Sequence, residues 1–209
     1  MDNFKKFAFE ISNGSQIYHA SDKSLFLMVS KIQNRFNSKK IIWNKMKYLG
    51  YGSYGIAYQI NRNMVMKITK DKSEIHAMTI VMKNPNKYIV KVYDTFMIKI
   101  GTHIRYIIVQ ELLDKSCKTW GLFIKKIYSN DEFITPNFLN AFKKHNNEYY
   151  LNIKNYNKVK WIKSLSLYFE KNNIFFKDLH SNNIMRRKNV HVLIDLGLSK
   201  SPKQKFAII

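Results

Sequence analysis

Near the end of the chain, three oxygen-bearing side chains stand at the edges of two short apolar runs, and this pattern limits the available folds more than any other. Residues 174–197 read Ile-Phe-Phe-Lys-Asp-Leu-His-Ser-Asn-Asn-Ile-Met, a basic turn, then a second apolar run closed by Asp195-Leu196-Gly197. Asp178 lies five residues before Asn183, and Asn183 twelve before Asp195. The apolar runs are short enough to be buried strands, and the basic turn between them is tight. Two strands joined by such a turn bring Asp178, Asn183 and Asp195 to one end of a small sheet. A carboxylate placed there can accept a proton from an attacking hydroxyl. An amide oxygen and a second carboxylate can hold Mg²⁺, a hard ion completed by substrate phosphates.

A second block lies upstream. Residues 49–58 read Leu-Gly-Tyr-Gly-Ser-Tyr-Gly-Ile-Ala-Tyr, so Gly50, Gly52 and Gly55 form G-x-G-x-x-G between β-type residues. Backbone without Cβ approaches phosphate oxygens closely and tolerates positive φ. By itself the pattern is also that of an ordinary glycine-rich hairpin. It is followed by an Asn61-Arg62-Asn63 turn and an apolar strand, Met64-Val65-Met66-Lys67-Ile68, with one lysine inside it. A strand lysine is normally a solvated edge residue. Its position after a glycine loop and before D-x4-N…D-x-G argues against that reading. Glu74 has two readings. It lies on a helix-forming segment and could pair with Lys67, or it could complete a capping box with Asp71 as N-cap and serve the helix dipole alone.

The downstream stretch resembles the catalytic loop and metal-binding turn of the protein-kinase-like superfamily, whose pattern is H-R-D-L-x-x-x-N followed by D-F-G. Here it stands as Phe176-Lys177-Asp178-Leu179-His180-Ser181-Asn182-Asn183, then Asp195-Leu196-Gly197. The resemblance implies that Asp178 is the catalytic base and that Asn183 and Asp195 are the metal ligands. It also implies that Gly50, Gly52 and Gly55 cover the phosphates of ATP, and that Lys67 matches the V-A-I-K lysine. Residues 104–110 followed by Glu111-Leu112-Leu113 resemble the hinge between kinase lobes. There the backbone of Glu111 and Leu113 would meet the adenine edge, with Gln110 at the back wall. Ala57, Val65, Met185 and Ile194 are the implied apolar walls, all residue types equally at home in an ordinary strand core. The departures are Phe176 for the usual His, Lys177 for Arg and Leu196 for Phe. His180 stands where Ser/Thr kinases carry Lys, and an Asp-Leu-His opening resembles small-molecule phosphotransferases and atypical kinases.

The implied fold is α+β and bilobal: an antiparallel-sheet small lobe and an abbreviated helical large lobe. Residues 1–48 are an N-terminal extension, 49–113 the small lobe and hinge, and 114–209 the large lobe with the catalytic loop. In the extension, Leu25, Met28, Val29, Ile32 and Phe36 share one helical face. Residues 88–110 read as strands and 73–82 as a helix, with Asn84-Pro85-Asn86 closing it. Segments 120–128 and 136–144 read as short helices. Residues 159–171 form the helix under the catalytic loop, with Val159, Ile162, Leu165, Ser166 and Phe169 on one face. Only 14 residues follow Asp195, which leaves no room for the A-P-E segment and peptide platform of a typical protein kinase.

Composition bounds the partners. Apolar residues make up 45% of the 209, enough for a packed core rather than disorder. No apolar run reaches the length of a membrane span, and the first residues lack a secretory core. A single cysteine, Cys117, forbids an internal disulfide and fits a reducing, cytoplasmic setting. Thirty-six Lys and Arg against 14 Asp and Glu leave a net charge of +22. Compositional bias toward Lys and Asn would raise Glu as well, and Glu is scarce. So basic a surface attracts polyanions or acidic proteins. The leading expectation is an ATP- and Mg²⁺-dependent kinase acting on Ser/Thr of an acidic protein, with non-specific nucleic-acid binding through its charge. The competing readings are a small-molecule kinase and a kinase-derived basic binding module with little catalysis.

Overall fold

The computed structural model describes residues 34–35, 47–52, 54–100, 103–115, 153–176, 178–197, 199–203 and 207–208. These divide into two compact units. The first comprises residues up to Ile75, Val92–Leu112 and Lys205–Ile209; the second comprises His76–Lys91 and Leu113–Gln204.

The first unit is built on a mixed sheet. Its strands are β1 (Lys47–Gly52), β2 (Gly55–Gln59), β3 (Met64–Thr69), β4 (Val92–Ile100), β5 (His103–Glu111) and β9 (Ala207–Ile208). The order is β1-β2-β3-β5-β4-β9, antiparallel throughout except for the parallel β4–β9 pair. Local chemistry sets the turns. Asn61 accepts the Asn63 N–H on its Oδ1 at 2.8 Å, the Asx turn expected of asparagine. The Ile60 N–H donates to the Met64 carbonyl at 3.0 Å and closes the β2–β3 hairpin. The central strands carry the core: Met66, Phe96, Ile98, Ile107, Ile108 and Val109 are fully buried. Their β-branched and aromatic side chains suit a pleated, packed surface.

Helix α1 (Lys72–Lys83) follows β3 directly. Asp71 caps it: its Oδ1 accepts the Ser73 N–H at 2.7 Å and the Ser73 hydroxyl at 2.6 Å.

In the second unit, helix α2 (Ile153–Lys171) accompanies a small antiparallel sheet of β6 (Asp114–Lys115), β7 (Ile184–Arg187) and β8 (Val190–Leu193), in that order. The helix begins six residues earlier than its apolar stripe predicts. Its first turns, Ile-Lys-Asn-Tyr-Asn-Lys, have no Gly or Pro to stop a helix and no stripe to announce one. Trp161, Ile162, Leu165 and Phe169 are buried, and the rings of Phe169 and Phe176 lie 5.6 Å apart. The Trp161 indole N–H donates to the His191 carbonyl at 2.7 Å, tying α2 to β8. Of the predicted N-terminal helix, Asn34 and Arg35 are helical, and Arg35 pairs with Asp94 at 3.1 Å. The rest of that helix, the segments 120–128 and 136–144, and Cys117 lie outside the described residues. Among the described residues no helix is long and apolar enough to cross a membrane.

Candidate functional site

In the first unit, strand register decides which side chains share a face. Ala57, Lys67 and Ile108 stand opposite one another across β2, β3 and β5, and Val65 stands opposite Gln110 two residues along. Side chains two apart on a strand point the same way. Ala57, Val65, Lys67 and Gln110 therefore line one face of the sheet. Lys67 reaches from there to α1, where its Nζ lies 2.5 Å from Glu74 Oε1. The Glu74 side chain is 1% exposed and that of Lys67 16%. A charge so buried is costly without a partner, and the pair supplies one to each side chain. Of the two sequence readings of Glu74, its carboxylate takes the contact with Lys67, and Asp71 carries the cap.

Gln110 adds a feature that sequence reasoning placed but did not characterise. It is 5% exposed, and its Oε1 is buried with no hydrogen-bond partner among the described residues. Such an orphan acceptor costs stability unless something donates to it. Downstream, Glu111 pairs with Met64 at the end of β5, and the Leu112 N–H donates to the Asn63 carbonyl at 2.8 Å. Leu113 follows, half-buried, in the second unit.

The glycines divide by role. A Cβ on Gly55 would lie 2.5 Å from the Ile68 carbonyl, so this glycine lets β2 approach β3. Gly50 has φ +156°, and neither Gly50 nor Gly52 has a heavy atom within 4 Å of where a Cβ would stand. The tip of the hairpin is anchored behind them: the Tyr54 carbonyl accepts the Lys70 N–H at 2.9 Å and the Thr69 hydroxyl at 3.2 Å.

The second unit brings Asp178, Asn183 and Asp195 to one end of the β7–β8 hairpin. Asn183 immediately precedes β7, and Asp195 follows β8 by two residues. The Asn183 side-chain N–H donates to the Asp178 carbonyl at 3.1 Å, and the Ile194 N–H donates to the Asn183 carbonyl at 2.9 Å. Asp195 Oδ1 accepts the Gly197 N–H at 2.8 Å, which shapes the turn after it. His180 Nε2 stands 3.7 Å from Asp178 Oδ2, with both side chains partly exposed. Met185 sits half-buried on β7, opposite Val192. Beyond the turn, Phe175 and Lys200 exchange backbone hydrogen bonds of 2.7 and 2.8 Å. That bridge pins the chain after Asp195 to the chain before Asp178. Nothing in the sequence signals it, since backbone pairing of two isolated residues leaves no pattern.

The donor set fits Mg²⁺. With its side-chain nitrogen committed to Asp178, Asn183 has its amide oxygen for a cation, and Asp195 supplies a carboxylate; both are hard ligands. Among the described residues no cluster of three or more His, Cys, Asp or Glu is placed to hold a metal. A cation here would draw its remaining ligands from water and a phosphate-bearing substrate. The orphan Gln110 acceptor and the open space over Gly50 and Gly52 fit a nucleotide in the same way.

No family model and no curated protein matches the sequence. Among solved structures, the chain is similar to the kinase PK-1 of Cydia pomonella granulovirus, at 16% identity and a TM-score of 0.44. The match covers 82% of this chain and 60% of that one, so the chain spans about 60% of that kinase's length.

Proposed function

We propose that this chain is an ATP- and Mg²⁺-dependent phosphotransferase of protein-kinase type, acting on serine or threonine of an acidic protein. The observation that carries the reading is the buried Lys67–Glu74 contact, which joins the strand after a glycine hairpin to the following helix. A lysine held this way presents its remaining protons in a fixed direction, as phosphate binding requires. Lys67 and the backbone of Gly50, Gly52 and Gly55 would hold the phosphates. Ala57 and Val65 would flank the base, Gln110 Oε1 would accept a hydrogen bond from its exocyclic amine, and the backbone of Glu111 and Leu113 would bind its edge. Asn183 and Asp195 would hold Mg²⁺, with Met185 and Ile194 as apolar neighbours. Mg·ATP supplies the transferable phosphoryl group and the charge that neutralises it.

Asp178 would orient the acceptor hydroxyl and take its proton. Its loop is shaped for this by the Asn183 bond to the Asp178 carbonyl, so Asn183 serves both position and metal. Transfer to a small hydroxyl compound is the second reading, favoured by His180 at 3.7 Å from Asp178. An imidazole N–H there can donate a hydrogen bond to a small acceptor.

The test is transfer of labelled γ-phosphate to the chain itself, to an acidic protein such as casein, and to small alcohols. Asp178→Asn and Asp195→Asn should each abolish transfer with the fold intact by circular dichroism. Asp195→Asn should also weaken Mg·ATP binding, because a ligand charge is lost. Wild-type turnover in either variant overturns the assignment.

A further inference from the structure

The second unit concentrates positive charge on one exposed region. Across its small sheet, Asp114, Arg186 and His191 stand in one row, each opposite the next. Directly opposed residues share a face, with Cβ atoms about 5 Å apart. Arg186 is exposed, and among the described residues no ion pair engages it. Lys188, also exposed, is in the turn two residues further on, at a left-handed φ of 54°. Helix α2 supplies the next cation. Its Trp161 is bonded to the His191 carbonyl, and Lys158 lies one turn earlier on the same side.

Within the described elements of this unit acids are few. Helix α2 has five lysines against the single Glu170, and the hairpin from Ile184 to Leu193 has three basic residues and no acid. Asp114 is the carboxylate in the row. His191 registers the resulting field: burial first, then Lys158 and Arg186, push its imidazole below the ordinary range. Like charges held this close repel until an anion comes between them.

We propose that the face formed by Lys158, Arg186 and Lys188 is a binding surface for the phosphodiester backbone of nucleic acid, separate from the phosphotransfer site. Its cations come from α2 and the β7–β8 hairpin and make a track rather than a pocket, which suits a polymer with regularly repeated charge. The planar fork of Arg186 matches phosphate oxygens bidentately. The charge excess of +22 over the whole chain also exceeds what one acidic peptide would need. Phosphate between Lys158, Arg186 and His191 would favour the imidazolium, so binding should tighten as pH falls through the titration of His191. The charged groups facing that ring are Lys158 of α2, Arg186 of β7 and, further along the row, Asp114 of β6.

The experiment measures anisotropy of a fluorescein-labelled oligothymidine with the whole chain across a salt series. Lys158→Glu/Arg186→Glu is compared with Lys99→Glu/Lys203→Glu, which changes net charge equally at exposed positions elsewhere. The first pair should weaken binding on the order of tenfold and flatten the log–log salt slope by about 1.4, two contacts at about 0.7 each. The second pair should leave the slope near wild type. Equal losses from both pairs mean diffuse charge and overturn the proposal. If charge reversal disturbs the fold, the glutamine versions of the same pairs carry the comparison. The wild-type protein provides a variant-free readout: by NMR, oligothymidine should move the His191 titration upward, and an unmoved His191 overturns the site. Poly-glutamate that displaces the oligonucleotide at matched charge would assign the face to an acidic protein instead.

Discussion

At the scale of single residues, the Lys67–Glu74 contact decides the most. Glu74 is almost wholly buried, so its role divides into structure and chemistry that one variant cannot separate. Glu74→Gln keeps the shape, removes the charge and leaves Lys67 half-compensated; it should lower phosphotransfer steeply and cost about 1–3 kcal/mol in urea unfolding. Adding Lys67→Met should recover much of that stability while activity stays lost, because the ammonium that faced the lost carboxylate is gone. A double variant no more stable than Glu74→Gln would show that the pair is not the source of the cost. Gln110 makes the opposite prediction. Replacing it by Met removes a buried acceptor without a partner, so Gln110→Met should gain about 1 kcal/mol in stability. The same change should weaken ATP binding measured by calorimetry, and narrow any preference for ATP over GTP. A variant that gains stability and keeps full nucleotide affinity removes Gln110 from the base-binding role. The type of each of these residues was legible in the sequence. Whether Glu74 served the helix cap or the lysine was not, because both readings place it in the first turn of the same helix.

Among the elements, the β1–β2 hairpin carries a glycine whose role is internal. Gly55→Ala would put a Cβ 2.5 Å from the Ile68 carbonyl, against backbone that cannot rotate away. The strands must separate locally, at a cost of about 1–3 kcal/mol, read as a lower urea midpoint. Gly50→Ala meets no such wall, and its penalty should come from φ alone. The sequence motif treats the three glycines alike, and only packing against β3 separates them. The strands and α1 were readable because alternation and the Asp71 cap are local signals. The first turns of α2 were not, since a polar helix start carries no periodic apolar mark.

The molecule as a whole couples its stability to pH through half-buried titrating groups. The Tyr168 hydroxyl donates to the Asn84 carbonyl at 2.6 Å, and burial pushes its pKa up to about 12. In the unfolded chain a tyrosine ionises near 10. Its contribution is therefore complete below about pH 10 and is lost as pH rises toward 12. Tyr168→Phe should flatten that alkaline decline in urea midpoint relative to wild type, while costing about 1 kcal/mol at neutral pH for the lost hydrogen bond. Parallel curves for the two proteins would show that Tyr168 is not the group responsible. His191 works at the other end. Its depressed pKa leaves stability intact above the ordinary imidazole range and removes it as pH falls toward the folded value.

The sequence by itself determined the chemistry available to this chain and much of its local structure. Asp178, Asn183, Asp195, Lys67 and the glycines stand out as candidates by residue type, spacing and resemblance, and much of the strand and helix pattern follows from short-range periodicity. The tertiary structure alone decided which of these groups meet. Strand register put Gln110 on the face of Lys67, whereas the convergence of Asn183 and Asp195 at one end of the β7–β8 hairpin was already legible in two short strands and a tight turn. The Phe175–Lys200 bridge, the parallel pairing of β9 with β4, and the row of Asp114, Arg186 and His191 join residues far apart in the chain. Such contacts depend on register and backbone pairing, which act between segments and leave no trace in the order of residues within either one.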